Sequence, residues 1–170
     1  KRRKLTLSGD NITLVTGVRA VVNAFLAKLF ARDDIALIFV GSPTYRPLFN
    51  TIKQTQRIIN LPSSSDGSID FSPLSRDSIG KIGAILLVNP HNPTGLTIQS
   101  QDLSELIEIA LAHNATIISN EVNSHALYAG DHFSIVDINA VQKTRWILVS
   151  SLTNWFFLTR QKIRSCLNAV

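Results

Sequence analysis

Apolar residues recur along this chain in two alternating rhythms. In 17–32, "GVRAVVNAFLAKLFAR", Val18, Val21, Val22, Phe25, Leu26, Leu29 and Phe30 fall on one stripe of a 3.6-residue helix. Asp33-Asp34 then leads into "IALIFV", 35–40, a short and wholly apolar run of the kind found in strands buried on both faces. "SPTY" (42–45) reads as a turn, and "YRPLFNTIKQT" (45–55) as a second helix with Pro47 in its first turn. "QRIINL" (56–61) is a further strand. The polar stretch 62–80, rich in Ser, Asp, Gly and Pro, predicts a long surface connection. "GAILLV" (83–88) is the next buried strand, followed by "NPHNPTG" (89–95). Ser100 is the expected N-cap of a helix over 101–114, with Leu103, Leu106, Ile107, Ala110 and Leu111 as its apolar stripe. "ATIIS" (115–119) and "WILVS" (146–150) complete the set of strands.

Apolar strands alternating with amphipathic helices predict an α/β fold, a mostly parallel sheet with helices on both faces in three αβα layers. In such sheets ligands bind beyond the carboxyl ends of the strands. "SPTY", "NPHNPTG", "NEVN" (120–123) and "SLTN" (151–154) are all expected there.

Composition changes this picture little. The chain has 170 residues, 45% of them hydrophobic and 17% charged, as expected for one ordinary globular domain. No run reaches the roughly 18 apolar residues of a membrane span, and no signal peptide opens the chain. A single cysteine, Cys166, cannot close an internal disulfide, so a reducing, cytoplasmic setting is the default expectation. The net charge of +5 is concentrated at Lys1, Arg2, Arg3 and Lys4; the other thirteen basic residues stand against twelve acidic ones. A four-residue basic tip is read as a solvated terminus, which argues against a nucleic-acid partner. The chain opens without methionine and stops at "CLNAV", where a new apolar strand begins, so both ends read as cuts through a larger protein.

From about Asn11 to Arg164 the sequence resembles the fold-type I pyridoxal 5′-phosphate (PLP) enzymes of the class I/II aminotransferase family. "NPHNPTG" carries most of the resemblance, with "TGVRA" (16–20) and "SPTY" in the family's order and spacing. "SPTYRPLFNTIK", "NPHNPTG" and "ALYAGDHFS" (126–134) are most similar to the cystathionine β-lyase-like C–S lyase branch. The resemblance implies that Thr16, Gly17 and Val18 receive the cofactor phosphate at a helix N-terminus, although Gly17 also suits a tight strand-to-helix turn. It implies that Tyr45 stacks on the pyridine ring, where plain core packing is the alternative, and that Asn92 hydrogen-bonds the phenolic oxygen. It further implies a homodimer with an amino-acid ligand and a smaller C-terminal domain. On this reading residues 1–170 form one truncated large domain, and the small domain is missing.

The resemblance breaks at the chemistry. The family places a Schiff-base lysine three residues after a serine; here Ser151 is followed by Asn154, and an amide neither forms a Schiff base nor acts as a base near neutral pH. Asn120 stands where the family has the aspartate that pairs with the pyridine nitrogen, and Asn123 where it has a tyrosine or histidine. Lys162 replaces the phosphate-clamping arginine and lacks its bidentate fork; Arg160 and Arg164 replace the glycines around it. The apolar strands and stripes are intact while four positions of one site are changed. The expectation is therefore a PLP-fold domain that has lost Schiff-base catalysis, with a working C–S β-lyase or transaminase as the alternative. His91, His125 and His132 are not spaced as a metal cage, His113 suits a helix C-terminus, and Cys166 and Ser150-Ser151 lack activating motifs.

Overall fold

Five apolar runs form five strands in a single sheet. The computed structural model describes residues 8–31, 35–41, 58–75, 80–126 and 132–151. The described strands are β1 (Ile35–Val40), β2 (Ile58–Leu61), β3 (Lys81–Val88), β4 (Thr116–Asn120) and β5 (Arg145–Val149), and the described α-helices are α1 (Val18–Phe30) and α2 (Ser100–His113). The strand order is β2-β1-β3-β4-β5, and every pairing is parallel. The predicted α/β class and parallel sheet are thus observed. The second predicted helix, 45–55, lies outside the described residues.

A strand buried on both faces sends alternate side chains to opposite layers. In β1, Leu37 and Phe39 join one apolar cluster with Val22 and Leu26 of α1, while Ile38 and Val40 join the other with Leu103, Leu106 and Ile107 of α2. Strand β3 does the same, with Ala84, Leu86 and Val88 on the α1 side and Ile85 and Leu87 on the α2 side. The two helices therefore cover opposite faces of the sheet, and all of these side chains are fully or almost fully buried. Removing one such leucine costs about 2–5 kcal/mol in a well-packed core.

Three local expectations are corrected. Helix α2 begins at Ser100 itself: Gln99 is the extended N-cap residue, and its carbonyl accepts the Leu103 N–H at 3.0 Å. Leu111, placed on the buried stripe by periodicity, is 40% exposed. It lies one residue beyond Ala110, a step of about 100° around a 3.6-residue turn, which carries it off the packed face. The connection after β2 is more than surface loop. Ile69 is buried, Phe71 and Leu74 pack on the α2-side cluster, and the Asp102 carboxylate accepts the Ile69 N–H at 2.9 Å.

Register fixes what lies above the sheet. Val88 pairs with Asn120, and Asn120 pairs with Val149. The ends of β3, β4 and β5 thus finish abreast, and the segments beginning at Asn89, Glu121 and Ser150 leave the sheet side by side.

Candidate functional site

Asn89, the first residue beyond β3, is fully buried. Its amide nitrogen donates to the Phe133 carbonyl at 2.8 Å, and its amide oxygen accepts the Ile98 N–H at 3.1 Å. Its backbone N–H donates to the Asn120 carbonyl at 3.0 Å. One side chain therefore pins both the far end of its own loop and the segment running back toward β5. The loop turns tightly above it: the Gly95 N–H donates to the His91 carbonyl and the His91 N–H to the Leu96 carbonyl, each at 2.8 Å. Asn92 sits half-buried on this turn.

The strand order reverses between β1 and β3, where an open α/β sheet usually leaves a ligand crevice. Here His91 occupies it. The ring lies against Gly41, which follows β1; a Cβ on Gly41 would meet the His91 ring at 2.5–2.6 Å, and Gly41 has φ +105. Only glycine satisfies both demands. His91 Nδ1 is 2.8 Å from the Thr94 hydroxyl, and burial pulls the imidazole pKa below its ordinary value, favouring the neutral ring. The small space left there is lined by apolar groups of Val40, Val88, Leu96 and Ile98 beside Ser63 and Thr97.

Strand β4 ends on Ser119-Asn120, both buried, and Glu121 follows at 1% exposure. The Glu121 carboxylate accepts the Ser119 hydroxyl at 2.9 Å and the Ile135 N–H at 3.0 Å through Oε1; its Oε2 lies 3.2 Å from His132 Nε2. Burial alone would raise its pKa, but the contacts from His132, the Ile135 N–H and the Ser119 hydroxyl outweigh burial and hold it below the usual carboxylate range. This is an ionised carboxylate inside the protein, kept so by its donors.

Asn120 itself is 6% exposed, and its amide oxygen accepts the Val122 N–H at 3.4 Å. Asn123 lies in the following turn, where its carbonyl accepts the Ala126 N–H at 2.9 Å. Ser151 is half-buried just beyond β5. The register thus brings Asn92, Asn120, Asn123 and Ser151 to one edge of the sheet.

Thr16 and Gly17 precede α1, and Val18 opens it. Gly17 is the N-cap of α1 with φ +117, it offers no side chain to the first turn, and a Cβ there would meet no described residue within 4 Å. The Ala20 N–H turns back to the Gly17 carbonyl at 3.1 Å, and the positive end of the helix dipole at Val18 is the kind of place that suits an anion. Residues 11–17 are exposed throughout. Tyr45, Asn154 and Lys162 lie outside the described residues. Neither Asn89 nor Glu121 is singled out by the sequence pattern. The signal for both was a polar residue directly after a wholly apolar strand, where burial demands a partner.

The whole chain can now be set beside known proteins. Residues 1–161 match the family described as aminotransferase class I and II. The chain belongs to that family. Among curated members of the family, it is 24% identical to an aspartate aminotransferase of Thermotoga maritima across all of this chain and 48% of that protein. It is 33% identical to the cystathionine β-lyase PatB of Bacillus subtilis, over 71% of this chain and 32% of the lyase. Solved family structures agree. The alanine aminotransferase of Pyrococcus furiosus superposes with a TM-score of 0.59 at 25% identity, over 79% of this chain and 35% of that one. Cystalysin of Treponema denticola, solved with PLP, gives 0.61 at 23% over 81% and 36%, a likeness of fold. The chain spans half or less of the length of each of these relatives. No described helix is long and apolar enough to cross a membrane.

Proposed function

We propose that this chain keeps the cofactor-cradling frame of the aminotransferase class I and II family and has lost Schiff-base catalysis, leaving a domain that binds PLP or an amino-acid-like ligand without covalent attachment. The observation that carries this reading is Asn154 at the family's lysine position, changed together with Asn120, Asn123 and Lys162 at the same site. Bound PLP supplies an electron sink for a substrate carbanion, and that chemistry needs an amine to hold the cofactor and move a proton. Asn154 has neither capacity.

The described residues fit the group itself. The open N-terminus of α1 at Gly17 suits the phosphate, and the side-chain N–H₂ of Asn120 suits an unprotonated ring nitrogen. An asparagine adds no charge to hold that nitrogen protonated. Asn92 is the donor expected at the phenolic oxygen. Lys162 would contribute a point charge to the phosphate, and Tyr45 would cover the ring. The family resemblance supports a homodimer.

Adding PLP to the purified chain tests the reading. The expected result is reversible binding with no Schiff-base absorbance and no borohydride-trapped cofactor on any lysine. A stoichiometric lysine adduct would sink it. The second reading, a working C–S β-lyase or transaminase, draws support from the 33% identity to a cystathionine β-lyase. Release of pyruvate or thiol from a thioether amino acid, above the rate of free PLP, would establish it.

A further inference from the structure

Residues 132–135 cross the carboxyl ends of β3 and β4 outside any strand, and two buried side chains from different strand ends hold them. Asn89 takes the Phe133 carbonyl at 2.8 Å. Glu121 takes the Ile135 N–H at 3.0 Å and meets His132 at 3.2 Å. The backbone joins the two anchors, because the Asn120 carbonyl accepts the Asn89 N–H at 3.0 Å and the Glu121 N–H donates to the Val149 carbonyl at 2.8 Å. The Asn120 backbone is therefore one member of a closed ring that runs from Asn89 through 133–135 to Glu121 and back through the Asn120 carbonyl. Burying a carboxylate is costly and is tolerated only where donors surround it. The return is rigidity in a segment with no ladder of its own.

We propose that Glu121 is a positioning residue: through the strap it shares with Asn89, it fixes the Asn120 carboxamide and the base of the "NPHNPTG" loop as one unit before any ligand arrives. Its geometric part stands alone, while its consequence for affinity rests on the PLP-binding reading above. A preorganised site avoids the ordering cost on binding, so loosening the ring weakens affinity with no ligand contact removed.

The test uses the 170-residue chain and Glu121→Gln, which keeps the volume and the Oε1 acceptor but puts an amide N–H₂ against His132. His132→Gln removes the same contact from the other side and serves where Glu121→Gln does not fold. In ligand-free protein, amide hydrogen exchange at Asn89 and Val122 is expected to quicken by roughly tenfold or more while Leu26 and Phe39 keep their wild-type rates. Acceleration confined to Ile135, or equal acceleration everywhere, overturns the proposal. With PLP as probe, Glu121→Gln is expected to weaken binding about tenfold, and adding it to Asn120→Ala is expected to cost nothing more. Additive losses overturn the proposal too, since a merely structural role would not be coupled to Asn120. Wild-type protein that binds no PLP defeats the cofactor reading, and the exchange pattern then decides the positioning role by itself.

Discussion

The two described parts of the candidate site are built in opposite ways. Above β3 and β4, Asn89, Ser119 and Glu121 are buried and bonded to the chain around them. At the start of α1, Thr16 and Gly17 are exposed, Gly17 gives its helix no side-chain cap, and no described residue lies within 4 Å of where its Cβ would be. The first part stabilises the fold whether or not anything binds. The second leaves an exposed helix N-terminus at Gly17, a feature of the kind that suits an anion.

Substitutions can break this contrast or sharpen it. The largest effect is expected from Glu121→Ala, which strands the Ser119 hydroxyl, the Ile135 N–H and His132 inside the protein. Breaking a buried charged network costs about 3–5 kcal/mol, to be read as a lower urea midpoint. The same carboxylate gives the contrast a pH signature. Its folded pKa is lowered, so its stabilisation is complete above the ordinary carboxylate range and is lost as pH falls through the lowered folded value. Urea titrations across that acid range are expected to show a shallower loss in Glu121→Gln than in wild type.

Gly41→Ala comes next. It drives a methyl into the His91 ring at a φ that L residues avoid, and about 2 kcal/mol of destabilisation is expected, part of it recovered by adding His91→Ala. Gly17→Ala shares the unfavourable φ but meets no described neighbour, so about 1 kcal/mol is expected from the thermal midpoint. Its PLP affinity should fall further than its stability does. Equal losses at Gly41 and Gly17 would erase the distinction between a packed and an open half.

Much of the fold was legible because both faces of the sheet are covered. A strand such as β1 or β3 then has no polar face, and a six-residue apolar run between turn residues has few other readings. Helix α2 was legible from the spacing of Leu103, Leu106, Ile107 and Ala110, all of which are buried. Its edges were less so: Ser100 reads as a cap by residue type, yet the cap is set by where the backbone turns, at Gln99. Of "NPHNPTG", the most engaged members are Asn89, which bonds Phe133 44 residues away, and His91, which lies against Gly41 from the end of β1. No local pattern encodes such a distance.

The sequence alone determined the alternation of strand and helix, the family, and the amide at position 154, because periodicity and residue chemistry are local properties. Only the tertiary structure decided that Val88, Asn120 and Val149 end abreast, that His91 fills the crevice beside Gly41, and that Glu121 is a clasp for residues 132–135. Register and burial depend on every strand at once. A carboxylate next to an asparagine becomes a positioning group only when the fold closes donors around it.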